Sequence, residues 1–291
     1  MVPHNDAIEG EARPAATLLM LRDGRPGPQV FMVKRHGLSD VLGGAHVFPG
    51  GKVDREDAQD ALAGRTDCHP DALHAALGEP QLEAPAAAGL YVAALREAFE
   101  ETGVLFAHGA QAAEAARASA LLREGRSFGE VLALLDLQLQ ASALVPWSRW
   151  ITPLVGGVIR KRFDTRFFVA AMPAGQQAVH DNHEATEGTW LSARQALQQY
   201  WDGHMELAPP QIMSLVHLAR HASVQDLMDE ARRRAPPVIQ PEAFVQDEVR
   251  VLCYPGDTRH SVAGRALPGP TRLYYRNRRF EPAGGFAALF D

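Results

Sequence analysis

Cysteine is nearly missing from this chain. Cys68 and Cys253 are the only two, far apart and in no CxxC pair, so neither a disulfide framework nor a four-cysteine zinc site can be built from them. An excess of positive charge is also lacking: Lys+Arg 29 stand against Asp+Glu 35, for a formal net charge of −6. That balance argues against a nucleic-acid partner and leaves room only for a local basic pocket that takes phosphates. No apolar run approaches the roughly 20 residues of a spanning helix, so no membrane partner is expected. The first two dozen residues have no basic region and only the short run TLLML, unlike a signal peptide. A soluble, unexported, cytoplasmic protein is the expectation. No internal repeat at solenoid periods is found.

What is present is a chain of 291 residues, 46% hydrophobic and 22% charged, enough for a large core. Two short β-rich runs near residues 16–21 and 29–34 flank Asp23, Gly24, Pro26 and Gly27, a strand-turn-strand pattern. The glycine-dense stretch GLSDVLGGAHVFPGGKV follows, then Ala-, Pro- and His-containing sequence over about 57–84 that reads as an insertion with one local helix, DALHAAL. Residues 85–103, PAAAGLYVAALREAFEETG, make the clearest helix, opened by proline and closed by glycine. A second helical region is expected over 110–137, and WSRWITP begins a strand-like section that runs through VIRKRFDTRFFVAAM. Helices are expected over 192–200, 211–221 and in SVQDLMDEARRRA. PPVIQPEAF reads as a proline-rich linker, and EVRVLCYPGD with TRLYYRNRRFEP as paired strands.

At 100° per residue, Glu97, Glu100 and Glu101 share an arc of about 100° on the 85–103 helix, opposite Tyr91, Val92, Leu95, Ala98 and Phe99. Like charges at this spacing oppose the helix by about 0.2–0.5 kcal/mol per pair, and only Arg96 is at hand to offset them. An oxygen-preferring cation, Mg²⁺ or Mn²⁺, is the chemical candidate for neutralising that face. A plainly solvated acidic face is the alternative.

REAFEETGV, with Gly50, Gly51 and Glu56 upstream, resembles the Nudix box, G-x5-E-x7-R-E-U-x-E-E-x-G-U, where U is bulky and apolar. Two departures are visible. Ala98 stands where a larger residue is common, and Arg96 follows Glu56 by 40 residues where the pattern has 8, an insertion of 32. GAHVFPGG before the box, WITP at 150–153, KRFDTRFFVA at 161–170 and LAPPQ at 207–211 extend the resemblance to the long-insertion branch of Nudix hydrolases that includes peroxisomal coenzyme A diphosphatases. The coenzyme A signature that precedes the box in such enzymes is half met. Arg35, Gly44 and Phe48-Pro49-Gly50-Gly51 agree, while His36 and Asp40 do not.

The resemblance implies an α/β fold, a Nudix α/β/α sandwich with a mixed central sheet, the insertion inside the box and a C-terminal extension. Residues 11–222 would be the hydrolase domain and 223–291 the helix-and-strand extension. It implies hydrolysis of a nucleoside diphosphate conjugate by water, with Glu97, Glu100, Glu101 and the Gly50 carbonyl as metal ligands and Arg96 and Glu56 in support. Arg35, Phe48, Gly51 and Arg162 are the candidate substrate contacts. Glu184, ahead of Glu187 in HDNHEATEGTW, is the preferred general base. Coenzyme A or acyl-coenzyme A, cleaved to 3′,5′-ADP and (acyl-)4′-phosphopantetheine, is the leading substrate. ADP-ribose or NADH is the alternative, and a non-catalytic nucleotide-binding regulator a third reading; a homodimer is a candidate assembly. His217 and His221 of HLARH have the i,i+4 spacing of a zinc helix, but Leu218 replaces the glutamate of HExxH, and they read as core or surface histidines.

Overall fold

The alternation of side chains along the first strand sets the architecture. In the computed structural model, which describes residues 12–37, 43–59, 62, 64–153, 162–180 and 185–291, β1 (Arg13–Arg22) sends Ala16, Leu18 and Met20 into one apolar cluster and Leu19 and Leu21 into another. Neighbours in a strand point to opposite faces, so a run apolar at every position needs cover on both sides. β2 (Gln29–Arg35) divides likewise, with Phe31 and Val33 on one face and Val30 and Met32 on the other.

Short strands β3 (His46–Val47) and β4 (Gly50–Lys52) follow, then a 3₁₀ turn at Arg55–Ala58. The first cluster is covered by α1 (Pro70–Leu77), α2 (Ala84–Thr102), α3 (Ala112–Arg123) and α4 (Phe128–Leu134). β5 (Val145–Ile151), β6 (Phe163–Ala171) and β7 (Ala185–Ser192) complete most of the sheet. The second cluster is covered by α5 (Ala193–Trp201), α6 (Pro209–Leu218) and α7 (Val224–Arg233). The sheet runs β3-β2-β1-β6-β5-β8, with β4 on β1 and β7 on β2, where β8 is Val238–Ile239. The β1–β6 and β5–β8 pairs are parallel and the others antiparallel, so the sheet is mixed and the whole an α/β/α sandwich.

The expected helical region 110–137 divides into α3 and α4 because Gly125 turns the chain at φ 86. The expected linker PPVIQPEAF also differs. Ile239 is fully buried and β8 adds to β5 as a parallel strand, which its flanking prolines permit at a sheet edge. Glu242–Gln246, the end of that stretch, is β9. It opens an antiparallel meander with β10 (Val249–Cys253), β11 (Arg272–Arg276) and β12 (Arg279–Glu281). Two-residue turns join β9 to β10 and β11 to β12, with positive φ at Asp247, Glu248, Asn277 and Arg278, the geometry that follows strand twist. Tyr254, Leu267, Leu273 and Leu289 belong to the cluster that contains Leu19, Trp147 and Ile212, so the C-terminal sheet shares a core with the second helical layer.

The stretch inserted in the box is also part of the core. Leu62, Leu73 and Leu77 pack in the first cluster, and Tyr91 of α2 meets Phe168 of β6 with ring centroids 4.6 Å apart. Glu79, just after α1, reaches Arg149 of β5 at 2.9 Å and Arg166 of β6 at 2.5 Å. Both guanidinium groups also hold Asp164.

Candidate active site

α2 ends where its sequence says it should. Gly103 takes the left-handed conformation at φ 70 and its N–H returns to the Phe99 carbonyl at 2.7 Å. The last two turns carry the carboxylates, and the helix is buried beyond its predicted apolar stripe: Arg96 and Glu101 are only 8% and 7% exposed. Packing of the inserted stretch against α2 covers flanks that an isolated amphipathic helix would leave wet.

β4 brings the glycine pair onto those turns. It pairs antiparallel with β1, Gly51 opposite Ala16 and Gly50 opposite Thr17. The Gly50 N–H donates to Glu101 Oε2 at 3.1 Å. Gly51 lies so close to Glu97 that a Cβ there would come within 2.4 Å of the carboxylate, so only glycine permits the approach.

Arg96 is the clamp of the cluster. Its Nε and Nη2 donate to Asp57 at 2.8 and 2.9 Å, its Nη1 to Glu97 at 2.8 Å and Glu100 at 3.2 Å, and Nη2 also to the Lys52 carbonyl at 3.0 Å. Asp54 adds a contact at 3.4 Å. Burial alone would weaken the guanidinium's hold on its proton. Asp57, Glu97 and Glu100 more than reverse that, so its pKa rises and the charge is permanent. Burial has the opposite consequence for Glu100, whose carboxyl is held above its ordinary range even though Arg96 pulls it down. Among the described residues, Glu97 and Glu100 thus share Arg96 with Asp57, while Glu101 is held by the Gly50 N–H.

One supporting residue needs correction. Glu56 is exposed, whereas Asp57 is 1% exposed and is the residue that grips Arg96. Counted from Gly51 instead of Gly50, the acidic position of the box falls on Asp57, and the insertion shortens to 31 residues. The double glycine hid this, because either one satisfies the pattern.

The other candidates are scattered. Phe48 is 2% exposed and packs edge-on against Phe167 in the second cluster, so its ring is committed to the core. Arg35, at the end of β2, is half-buried, and its Nε is buried without a hydrogen-bond partner. Arg162 is tied to the Thr152 carbonyl at 3.2 Å, at the start of β6. Glu184 and Asp40 lie outside the described residues. Glu187 is exposed on β7 opposite Lys34. Val179 lies at the end of α2, where its N–H donates to the Thr102 carbonyl at 2.9 Å. Sequence reasoning also missed His46, 5% exposed, with an unpartnered Nδ1 and a pKa lowered chiefly by burial.

Comparison with known proteins agrees with this geometry. A family model described as the NUDT19 Nudix domain matches residues 13–218. Acyl-coenzyme A diphosphatase NUDT19 from Homo sapiens is 28% identical over 243 residues, 70% of this chain and 64% of that protein. Its Xenopus laevis namesake is 25% identical over 234 residues, 68% of this chain and 62% of that protein. The chain thus spans less than two thirds of the length of these relatives. A Nudix hydrolase structure from Alicyclobacillus acidocaldarius, 26% identical, superposes with a TM-score of 0.59 over 78% of this chain and 97% of that one. The chain belongs to the Nudix hydrolases, in the family defined by the NUDT19 Nudix domain.

Proposed function

We propose that the chain is a metal-dependent pyrophosphohydrolase that cleaves the diphosphate of coenzyme A or an acyl-coenzyme A to 3′,5′-ADP and (acyl-)4′-phosphopantetheine. The observation that carries this reading is the set of carboxylates on the last two turns of α2, where Glu97 and Glu100 share Arg96, Glu97 abuts Gly51 and Glu101 accepts from the Gly50 N–H. The similarity to proteins named acyl-coenzyme A diphosphatase supports the substrate.

The donor set fits a hard divalent ion, Mg²⁺ or Mn²⁺: it is all oxygen, it carries an excess of negative charge over Arg96, and burial penalises the ionised form of Glu100. Glu97, Glu100, Glu101 and the Gly50 carbonyl are the proposed ligands. When bound, such ions neutralise the pyrophosphate oxygens and activate the attacking water. Arg96 fixes the directions of Glu97 and Glu100, while Asp57 holds Arg96, so loss of Asp57 would disorder carboxylates it does not touch. Glu184 is the proposed acceptor of the water's proton. Arg35, with a buried unpartnered Nε, is proposed to take a substrate phosphate oxygen, as is Arg162, which lies just before β6 beside the start of β1. Catalysis is assigned to residues 11–222, with 223–291 as a supporting extension.

The test is mass spectrometry of products from coenzyme A, acetyl-coenzyme A, ADP-ribose and NADH, each with Mg²⁺ or Mn²⁺, using Glu100→Gln as control. Metal-dependent 3′,5′-ADP from the coenzyme A substrates, lost in the variant, is expected. Turnover of ADP-ribose or NADH alone would keep the chemistry and overturn the substrate.

A further inference from the structure

HLARH lacks the glutamate of a zinc-protease helix, but the tertiary structure brings a carboxylate to it from another element. Glu230 of α7 lies between the two imidazoles, Oε1 at 2.8 Å from His217 Nε2 and Oε2 at 3.3 Å from His221 Nε2. One donor atom from each of the three residues lies within 4.8 Å of the others. Both histidine side chains are more than nine-tenths buried, at 8% and 6% exposed.

The arrangement around His221 is that of a metal-ligating imidazole. Asp226 Oδ2 is 3.0 Å from His221 Nδ1 and accepts a hydrogen bond from its N–H. In the neutral ring that leaves Nε2 a bare lone pair, and this nitrogen is buried with no hydrogen-bond partner while it faces another acceptor, Glu230 Oε2. A carboxylate that orients an imidazole through its far nitrogen is the usual support of a metal-bound histidine. Trp147 packs against the His217 ring at 4.4 Å and the His221 ring at 6.2 Å, and Arg234 Nε holds Glu230 Oε1 at 3.0 Å. His217 and Glu230 also line a cavity of about 520 Å³ with Arg220, Arg234 and Arg265.

We propose that His217, His221 and Glu230 form a second metal site, which takes a zinc-type transition-metal ion through two imidazole nitrogens and one carboxylate oxygen. It lies in the helical layer on the opposite face of the sheet from α2, and its nitrogen-containing donor set differs from the all-oxygen cluster there. The cavity leaves space for a further ligand on the ion. The ion would clip α6 to α7, a role independent of the proposed diphosphatase reaction.

The experiment is a Co²⁺ titration of the full chain, stripped with chelator and then held in excess Mg²⁺ to occupy the α2 carboxylates, read by visible absorption. Nitrogen-bound Co²⁺ of low coordination number gives a visible band far stronger than that of an all-oxygen octahedral ion. One equivalent of such Co²⁺ is expected, displaced by equimolar Zn²⁺, with affinity at least tenfold weaker in His221→Ala and in Glu230→Gln. Glu230→Gln keeps the side chain's shape and one acceptor oxygen, so the test survives if His221→Ala fails to fold. Absence of the band, or its undiminished retention in either folded variant, would overturn the site.

Discussion

At the residue scale the Arg96 cluster makes the sharpest distinctions. Asp57 and Glu56 are neighbours of the same charge, yet only Asp57 is buried against the clamp. Asp57→Asn is expected to lower kcat/KM by about 10–100-fold through misorientation of Glu97 and Glu100 and to cost about 1–3 kcal/mol of stability. Glu56→Gln should leave both within about twofold and ±0.5 kcal/mol; steady-state kinetics and urea denaturation check the pair. Glu100 gives a pH-dependent prediction. Its folded-state pKa is raised, chiefly by burial, so the fold holds that proton more tightly than the unfolded chain does. Its contribution favours folding at acid pH and is lost as the pH rises through the raised value. At neutral pH without divalent ions, Glu100→Gln should therefore melt at or above the parent. With Mg²⁺ at about 100 times its Kd the parent should gain about 2.7 kcal/mol and the variant less. Thermal melts in chelator and in Mg²⁺ measure both, and an equal gain in the two proteins would remove Glu100 from the ligand set.

At the element scale, helix and strand identities were largely legible and their partners were not. α2 announces its limits with Pro85 and Gly103, and the alternation in β1 and β2 assigns both faces without any tertiary information. β8 gave no such signal: two residues between prolines look like a linker, and only the open edge of β5 makes them a strand. The tight turns of the C-terminal meander are another case. Asp247-Glu248 and Asn277-Arg278 occupy positive φ although none of the four is glycine. Glu248→Gly is expected to stabilise the protein by about 0.5–1 kcal/mol by removing the left-handed strain that a Cβ imposes at φ 62, an effect measurable as a higher urea midpoint.

At the scale of the whole molecule the inserted stretch and the C-terminal sheet are structural parts of the Nudix core. Glu79 joins two arginines and Asp164 in a network that bolts the insertion to β5 and β6, with the Arg166 side chain only 7% exposed. Glu79→Ala leaves both guanidinium groups to Asp164 alone and is expected to cost about 1–3 kcal/mol, visible in chemical denaturation even though the residue touches no box carboxylate among the described contacts. Ending the chain at residue 236 removes Ile239, Tyr254, Leu267, Leu273 and Leu289 from the second cluster. Such a truncation should lose its cooperative unfolding transition by calorimetry, whereas an independent extension would leave the transition of the remainder intact.

Periodicity and motif spacing are local properties, and so the sequence by itself determined the Nudix family, the α2 helix with its acidic face and the two-sided strands. Contacts between distant segments are not local. Only the tertiary structure decided that Asp57 and not Glu56 holds Arg96, that Phe48 belongs to the core, and that a prolyl linker closes the sheet. The same holds for HLARH, whose missing carboxylate comes from Glu230 on the next helix. Burial and partner choice depend on how helices and strands pack, and that packing selects between neighbours such as Glu56 and Asp57 that the chain alone presents as equivalent.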